Sequence, residues 1–484
     1  MNREFAGNAV LIITINVFVK SFYLFGIDRT VQNILPEGDY GLYFTLFNFA
    51  FLFQIISDFG LQNFNARHLS QSRHLLTKYF PYLLSLKLML GVAFVLFTIV
   101  VGYVWGFRDS MVWWLLMGVS INQFLQTFVL FLRSNLAGLG LYRLDSWMSV
   151  VDKSLLVLIG GAMLWVPTWR AQFTLVWFVL AHTAAYILTI LLLIYYLAPR
   201  LGHLRWRWRP VQLWSFLRQS APYALVIFLM TAYTRLDAIM IEKLLPNGLV
   251  EADRYASAFR LLDAANIGGY LLAGLLLPMF ARQLKVGESV RPLTRLAIST
   301  IWAGAITLAL SIFFFSTPIM TSLYTDGNAY SGQILCWLML TFIPMSGGYV
   351  YGTLLTANAN LRPMNMIFAG GIVLNVVLNL ILIPRYQALG AAMATFYTQA
   401  LTFLGQLILA QRLLKLDIQP KLILRFLLLA VLLVLSEMAL QALLPTSRWL
   451  VKFLLAISAG GVLAFALQLL DVKSWLEWLG LRKP

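Results

Sequence analysis

The sequence predicts an all-α polytopic membrane protein with about fourteen transmembrane helices, arranged as two six-helix lobes (helices 1–6 and 7–12) around a central cavity plus a C-terminal helix pair. Three observations carry this. The 484 residues are 60% hydrophobic and 11% charged, with mean hydropathy +0.80, too little polar surface for a water-soluble fold of this size. Apolar runs of about twenty residues, enough to cross hydrocarbon, recur along the whole chain. Lysine and arginine gather in alternate loops between those runs.

The first six runs lie near 8–34, 39–64, 79–105, 111–134, 146–166 and 171–197. A basic connector follows at 199–218, with Arg and Trp alternating over 205–209; it reads as an interfacial segment with tryptophans at headgroup depth. The next six runs lie near 220–245, 253–280, 293–317, 329–356, 363–383 and 388–412, and a final pair near 421–443 and 449–470. The N-terminal run exceeds a signal-peptide core and lacks a small-residue cleavage site, so it reads as a retained first helix. The domains expected are 1–198, the connector 199–218, a second lobe over 219–415, and the final pair with its tail over 416–484.

Orientation follows from the basic residues. Loops after the even-numbered runs carry Arg67, Arg73, Lys78, Arg133, Arg143, Arg200, Arg282, Lys285, Arg291, Arg362 and Arg412, whereas the opposite loops hold few cations, such as Arg108 and Arg170. That bias and the even helix count predict that both termini are cytoplasmic. The net charge of +17 is thereby assigned to topology and anionic lipid headgroups, not to nucleic acid. The single cysteine, Cys336, excludes an intramolecular disulfide. Four histidines without a metal-ligand spacing give no metal site, and no phosphate-cradling glycine motif points to ATP. The loops are too short to hold a soluble catalytic domain, which argues against a membrane glycosyltransferase, ligase or polymerase.

The stretch around which the chain is organised runs from Leu35 to Ser70. An acidic turn, Pro36-Glu37-Gly38-Asp39, leads through Tyr40 and Tyr43 into a helix bearing Gln54, Asp58 and Gln62 at i, i+4 and i+8, on one face. A polar stripe in hydrocarbon is costly and should line a protected interior. A second copy of the pattern follows Leu245-Pro246. The intervals Tyr40 to Arg67 and Tyr255 to Arg282 are both 27 residues, and each ends in Ala-Arg. Self-similarity of this kind predicts two lobes repeated in the same orientation, with substrate between them and access alternating as one lobe rocks.

Charges inside membrane segments are functional candidates. Asn16 and Lys20 lie one turn apart in helix 1, Lys87 in helix 3, His182 in helix 6, Arg235 and Asp237 in helix 7, Arg260 and Asp263 in helix 8. Asn375, Asn379 and Glu437 complete the set. Lys20, Arg235, Arg260 and Lys87 are the expected substrate-binding cations, since ammonium and guanidinium groups bind phosphate by charge. Asn16, Gln54, Asp58, Asp237, Asp263 and His182 are the expected cavity or ion-coupling groups. Against these stand plainer readings: Arg235 with Asp237, and Arg260 with Asp263, as ion pairs; Lys87 and Arg29 as snorkelling cations; His182 as a satisfied core histidine; Glu437 as packing.

Asp39-Tyr40-Gly41-Leu42-Tyr43, Ser57-Asp58-Phe59-Gly60-Leu61 and Arg67 resemble the signature of the polysaccharide-biosynthesis flippases of the multidrug/oligosaccharidyl-lipid/polysaccharide exporter superfamily. The block from Tyr255 through Pro278 to Arg282, and Arg235-x-Asp237, are also similar to that family. One departure is Asn33, where family members often carry arginine, with Arg29 one turn earlier. The resemblance implies a flippase carrying a polyprenyl-pyrophosphate-linked oligosaccharide, such as an O-antigen or lipopolysaccharide unit, from the cytoplasmic to the periplasmic leaflet of a bacterial inner membrane. Lys20, Arg235 and Arg260 would contact pyrophosphate or acidic sugars. Asp58, Asp237 and Asp263 would position them or bind a coupling cation, and Arg67 and Arg282 would act in gating or orientation. No cofactor is expected, and coupling to a proton or sodium gradient is left open, as is association with polysaccharide polymerase or glycosyltransferase machinery. The alternatives are a cation-coupled multidrug exporter and a peptidoglycan-precursor flippase of the same superfamily.

Overall fold

The structure, a computed structural model, describes residues 15–62, 65, 76–201, 210–358, 361–416, 419–445 and 448–471. Among them there is no strand, and fourteen long helices follow in order. They are α1 (15–34), α2 (Asp39–Asp58), α3 (Leu76–Trp105), α4 (Ser110–Gly138), α5 (Tyr142–Trp165), α6 (Leu175–Leu201), α7 (Pro210–Leu244), α8 (Gly248–Val286), α9 (Arg291–Leu323), α10 (Ala329–Ala357), α11 (Leu361–Tyr386), α12 (Ala388–Leu414), α13 (Pro420–Leu443) and α14 (Trp449–Ala466). All but α1 and α7 contain a described span long and apolar enough to cross a membrane.

Two helices depart from the spans expected. Helix α2 stops at Asp58 rather than near 64, because Phe59 (φ 46°) and Gly60 (φ 78°) both turn left-handed. The connector is shorter than 199–218: α6 continues to Leu201 and α7 starts at Pro210, whose fixed φ and missing N–H suit a first helical position. The Arg-Trp run within 205–209 lies outside the described residues. At 39 residues, α8 is about 58 Å long at 1.5 Å per residue, well beyond the ~30 Å hydrocarbon core.

The helices group by contact into two units, Val10–Asp253 and one that includes Arg254–Pro484, so this grouping divides within α8. The physical reason is that α7 packs along α2 inside the first unit. There α2 is the hub, touching α3, α4 and α7, while α6 packs on α4 and α5. In the second unit α10 lies between α9 and α12, α11 packs on α12, and α13 and α14 pack on α9 and on each other. Leu429 and Leu433 of α13, Ala464 of α14 and Ala303 of α9 form the apolar centre of that last contact.

Each copy of the sequence repeat has the same local form. A helix ends at Ile34 or Leu244, a turn at Leu35–Gly38 or 245–247 follows, and the next helix begins at once. Gly38 takes φ 89°, and Asp39 sits in the first turn, where its charge complements the helix dipole. Tyr40 and Tyr255 are both buried. The copies then diverge: the first is broken after Asp58, whereas the second continues unbroken to Val286.

The start of α2 meets the start of α8 closely within the first unit. The Asp253 carboxylate accepts from the Gly38 amide (3.3 Å) and from the Gln32 side chain. A Cβ added at Gly41 would overlap the Leu249 carbonyl oxygen and lie 2.8 Å from the Asp253 amide nitrogen. Gly41→Ala is therefore expected to cost about 1–3 kcal/mol. Gly461→Ala, in open space in α14, should leave stability unchanged. Thermal unfolding of both variants in detergent checks this.

Candidate functional site

The polar stripe sits where α2 breaks. Ending a helix inside a membrane strands its last carbonyls, and placing a carboxylate there sets negative charge against the negative end of the helix dipole. Both problems meet one answer. The ammonium of Lys87, wholly buried in α3, donates to the Ser57 carbonyl at 2.9 Å and to Asp58 Oδ1 at 3.1 Å. The other Asp58 oxygen faces the Gln62 amide at 3.5 Å, so the chain resumes its helical turn beyond the break. Expected among the substrate-contacting cations, Lys87 is instead an internal brace. Two oxygen acceptors meet its desolvation cost, and it does not snorkel.

Gln54, Asp58 and Gln62 all line one pocket of about 120 Å³ with Thr127 of α4, Thr231 of α7 and an apolar wall that includes Phe51 and Phe228. The side chains behind it form a ladder between α2 and α4. Gln54 bonds Gln123 (2.7 Å), Ser57 bonds Thr127 (2.7 Å), and Asn65 bonds Ser134 (2.8 Å) and Asn135 (3.0 Å). Interhelical bonds of this kind average about 0.6 kcal/mol in membranes, so the ladder fixes register more than it adds stability. Amides, hydroxyls and one carboxylate around a small void are suited to hydroxyl-rich or cationic groups.

A second polar centre joins α1, α4, α5 and α6. Asn16 donates to Ser149 at 2.8 Å. Lys20 lies within electrostatic reach of Asp152, Lys153 and Arg133. Arg133 binds Asp145 at 2.8 Å, and the Lys153 ammonium lies 3.8 Å from Asp152 and 4.7 Å from the Tyr23 ring centroid. Asp28 also acts on Lys153, so three cations face three carboxylates here, and the ammonium and guanidinium groups among them are the ones that could meet an anion. Next to it, His182 Nδ1 lies 3.0 Å from the Phe178 carbonyl and must donate to it. Nε2 of the neutral ring then accepts from the Tyr23 hydroxyl at 3.2 Å. Both ring nitrogens are thus used in packing the core. Tyr40 donates to Asp28 at 3.1 Å.

Sequence reasoning missed Tyr23, Asp28, Asp152 and Lys153. The signal for the last two was present, as adjacent charges inside the fifth apolar run. For the first two it was not, because they flank a π-helical turn at Tyr23–Asp28 that no periodicity announces. Arg29 and Asn33 lie one turn apart in the α-helical segment that follows.

The remaining candidates are dispersed. Arg235 of α7 donates to Asn48 Oδ1 (3.3 Å) and stacks 4.7 Å from the Phe51 ring, beside the stripe, and Asp237 is buried. In the second unit Arg260 is buried, Asp263 half-buried and Arg282 exposed, all on α8. Asn379 donates to Asn375 at 3.1 Å within α11, and Glu437 is buried in α13. Arg67 lies outside the described residues. No cluster of metal-ligating side chains occurs among the described residues.

The helical fold is shared with solved structures of membrane transporters. The chain is similar to the lipid II flippase MurJ in an inward closed conformation (TM-score 0.68, 14% identity, covering 98% of this chain and 100% of that one). It also resembles a MOP superfamily transporter from Pyrococcus furiosus (TM-score 0.63, 14% identity, 84% and 94%). A third likeness is to a MATE transporter of Vibrio cholerae (TM-score 0.61, 14% identity, 85% and 97%). No curated protein matches the sequence. The polysaccharide biosynthesis protein family model matches residues 7–284, more than half of the chain, and the lipid II flippase MurJ model matches 154–460. The chain therefore belongs to the polysaccharide biosynthesis protein family, a flippase family that here overlaps its MurJ relatives.

The brace at the α2 break makes a clear energetic demand. Lys87→Met alone strands Asp58 and should destabilise the protein by about 3–5 kcal/mol. Lys87→Met combined with Asp58→Asn should recover most of that loss. A double-mutant cycle of unfolding in detergent gives the coupling, and additive losses would show that the pair is not coupled.

Proposed function

We propose that the protein is a flippase for a polyprenyl-pyrophosphate-linked oligosaccharide, moving it from the cytoplasmic to the periplasmic leaflet for surface polysaccharide synthesis. The observation that carries this reading is the gathering of three cations, Lys20, Lys153 and Arg133, among the membrane helices of the first unit, beside Asp152, Asp145 and Asp28. Cations at that depth are costly unless they meet anions, and pyrophosphate is the strongest anion such a substrate presents. The sugar head cannot enter hydrocarbon, whereas the polyprenyl tail can remain there.

In this scheme Lys20, Arg235 and Arg260 bind pyrophosphate or acidic sugars. Asp58, Asp237 and Asp263 position those cations or take a coupling ion, and Lys87 acts through Asp58 as a positioning residue. Asn16, Gln54 and Gln62 bond sugar hydroxyls, with His182 holding the neighbouring core. Arg67 and Arg282, matched by repeat position, serve in gating or orientation. The topological halves 1–198 and 219–415 alternate access, with 199–218 between them and 416–484 carrying α13 and α14. Lysine and arginine placement supports an inner-membrane protein with both termini in the cytoplasm. Polymerase and glycosyltransferase machinery are its expected partners.

The MurJ family match over 154–460 favours a second reading, transport of the peptidoglycan precursor lipid II, which offers the same pyrophosphate to the same cations. The two separate in cells. Under the first, the gene restores surface polysaccharide to a strain lacking its own repeat-unit flippase and does not rescue depletion of the lipid II flippase; the second predicts the reverse.

Lys20→Ala and Arg260→Ala should each abolish surface polysaccharide while the protein accumulates normally in membranes, and Lys20→Arg should retain much of the activity. Polysaccharide gels and immunoblots of membrane fractions measure both. Full complementation by the two alanine variants would sink the assignment of these residues.

A further inference from the structure

The second unit holds a cavity that belongs to neither polar centre. The first turn of α9, the first turns of α13 and the turn that ends α14 border an open cavity of about 1030 Å³. Three arginines line it, Arg291 and Arg295 on α9 and Arg425 on α13, and among the described residues Asp471 is the one carboxylate in its wall, so the described lining carries a net double positive charge. Arg425 is held by a bond to Gln468 Oε1 at 3.1 Å, and Arg291 by the Lys415 carbonyl. Ordered guanidinium groups offer paired N–H donors to phosphate oxygens in a geometry that lysine lacks. The amino ends of α9 and α13, at Arg291 and Pro420, add the positive ends of two helix dipoles.

The opposite wall is apolar. Leu296 and Leu469 are buried beneath the cavity, and Phe465 lines it at 66% exposure. One turn from Phe465, Val462 is 69% exposed; one turn from Arg425, Leu428 is exposed too. An uncovered apolar track thus runs from the arginines along α13 and α14 into the membrane span. A free phosphate would use the arginines and leave that track bare. A molecule with a phosphate at one end and acyl chains at the other uses both.

We propose that this cavity binds an anionic phospholipid, the headgroup phosphate on Arg291, Arg295 and Arg425 and one acyl chain along Phe465 and Val462. Basic pockets between transmembrane helices are suited to such headgroups, and each arginine contributes roughly fivefold in affinity at a charged bilayer surface. The lipid bridges α9 to the α13–α14 pair. This site is independent of the transported substrate and holds whether or not the flippase reading stands.

The test is native mass spectrometry of the full chain in detergent, titrated with phosphatidylglycerol, phosphatidylcholine or inorganic phosphate. Phosphatidylglycerol should be retained in preference to phosphatidylcholine and should survive millimolar inorganic phosphate. Arg295→Ala with Arg425→Ala should lower its retention by roughly 30-fold. Arg295→Gln alone, at an exposed position that leaves the helix contacts intact, should lower it about fivefold and serves if the double variant does not purify. Equal retention by wild type and variants, or no preference for the anionic lipid, overturns the proposal. Displacement by inorganic phosphate overturns the lipid assignment in favour of a free-anion site.

Discussion

One ammonium group holds the centre of the first unit. Lys87 reaches the last turn of α2 and binds a carbonyl and a carboxylate that the end of a membrane helix would otherwise leave exposed to hydrocarbon. Because it does so, α2 can stop at Asp58, Phe59 and Gly60 can turn left-handed, and Gln62 can return to the same pocket as Gln54. The other contacts of α2 are strung along it: the ladder to α4 near that end, the Arg235 contact from α7 in the middle, and the close approach of Gly41 to the start of α8 at the far end. The Ser-Asp-Phe-Gly-Leu segment is thus a structural device first. It makes a helix end in the membrane tolerable, and the pocket is what that end leaves behind.

Much of the fold was legible in the sequence, because hydrocarbon thickness sets the length of each apolar run and turn residues mark its limits. Helix α10 was expected over 329–356 and runs Ala329–Ala357; α13 was expected over 421–443 and runs Pro420–Leu443. The break in α2 was not legible. Phe59 and Leu61 continue the apolar run, so composition gives no sign of a backbone reversal that depends on a lysine 29 residues away. The same holds for the extent of the connector, whose last residues fold as the first turns of α7 although their charge suggests a loop.

The candidate site was legible as a list of residues more than as a set of partnerships. Lys20 and Lys87 were both expected to meet substrate, yet one sits in a cluster of cations and carboxylates and the other in a closed pair, a distinction that depends on what packs opposite. The shared face of Gln54, Asp58 and Gln62 was readable from spacing, and it survives the break because Asp58 faces the Gln62 amide across it. The class of cargo is a further step removed. Two family models meet on one chain, and their overlap does not depend on the few side chains that would tell one cargo from another. Sugar identity is written in scattered hydroxyl contacts that leave no pattern in a sequence.

The π-turn in α1 has a geometric consequence. A turn closed by i→i+5 bonds holds one residue more than an α-turn, and one residue corresponds to about 100° around a helix axis. The two ends of α1 are therefore out of phase by that angle. The upstream end aims Asn16 and Lys20 at α5, while the downstream end carries Gln32 to Asp253. Delete one residue between 23 and 28 and the i→i+4 ladder would run on without the π-turn, yet its two polar faces could no longer both be served. The insertion works as a fixed universal joint, letting one rod address two unrelated neighbours.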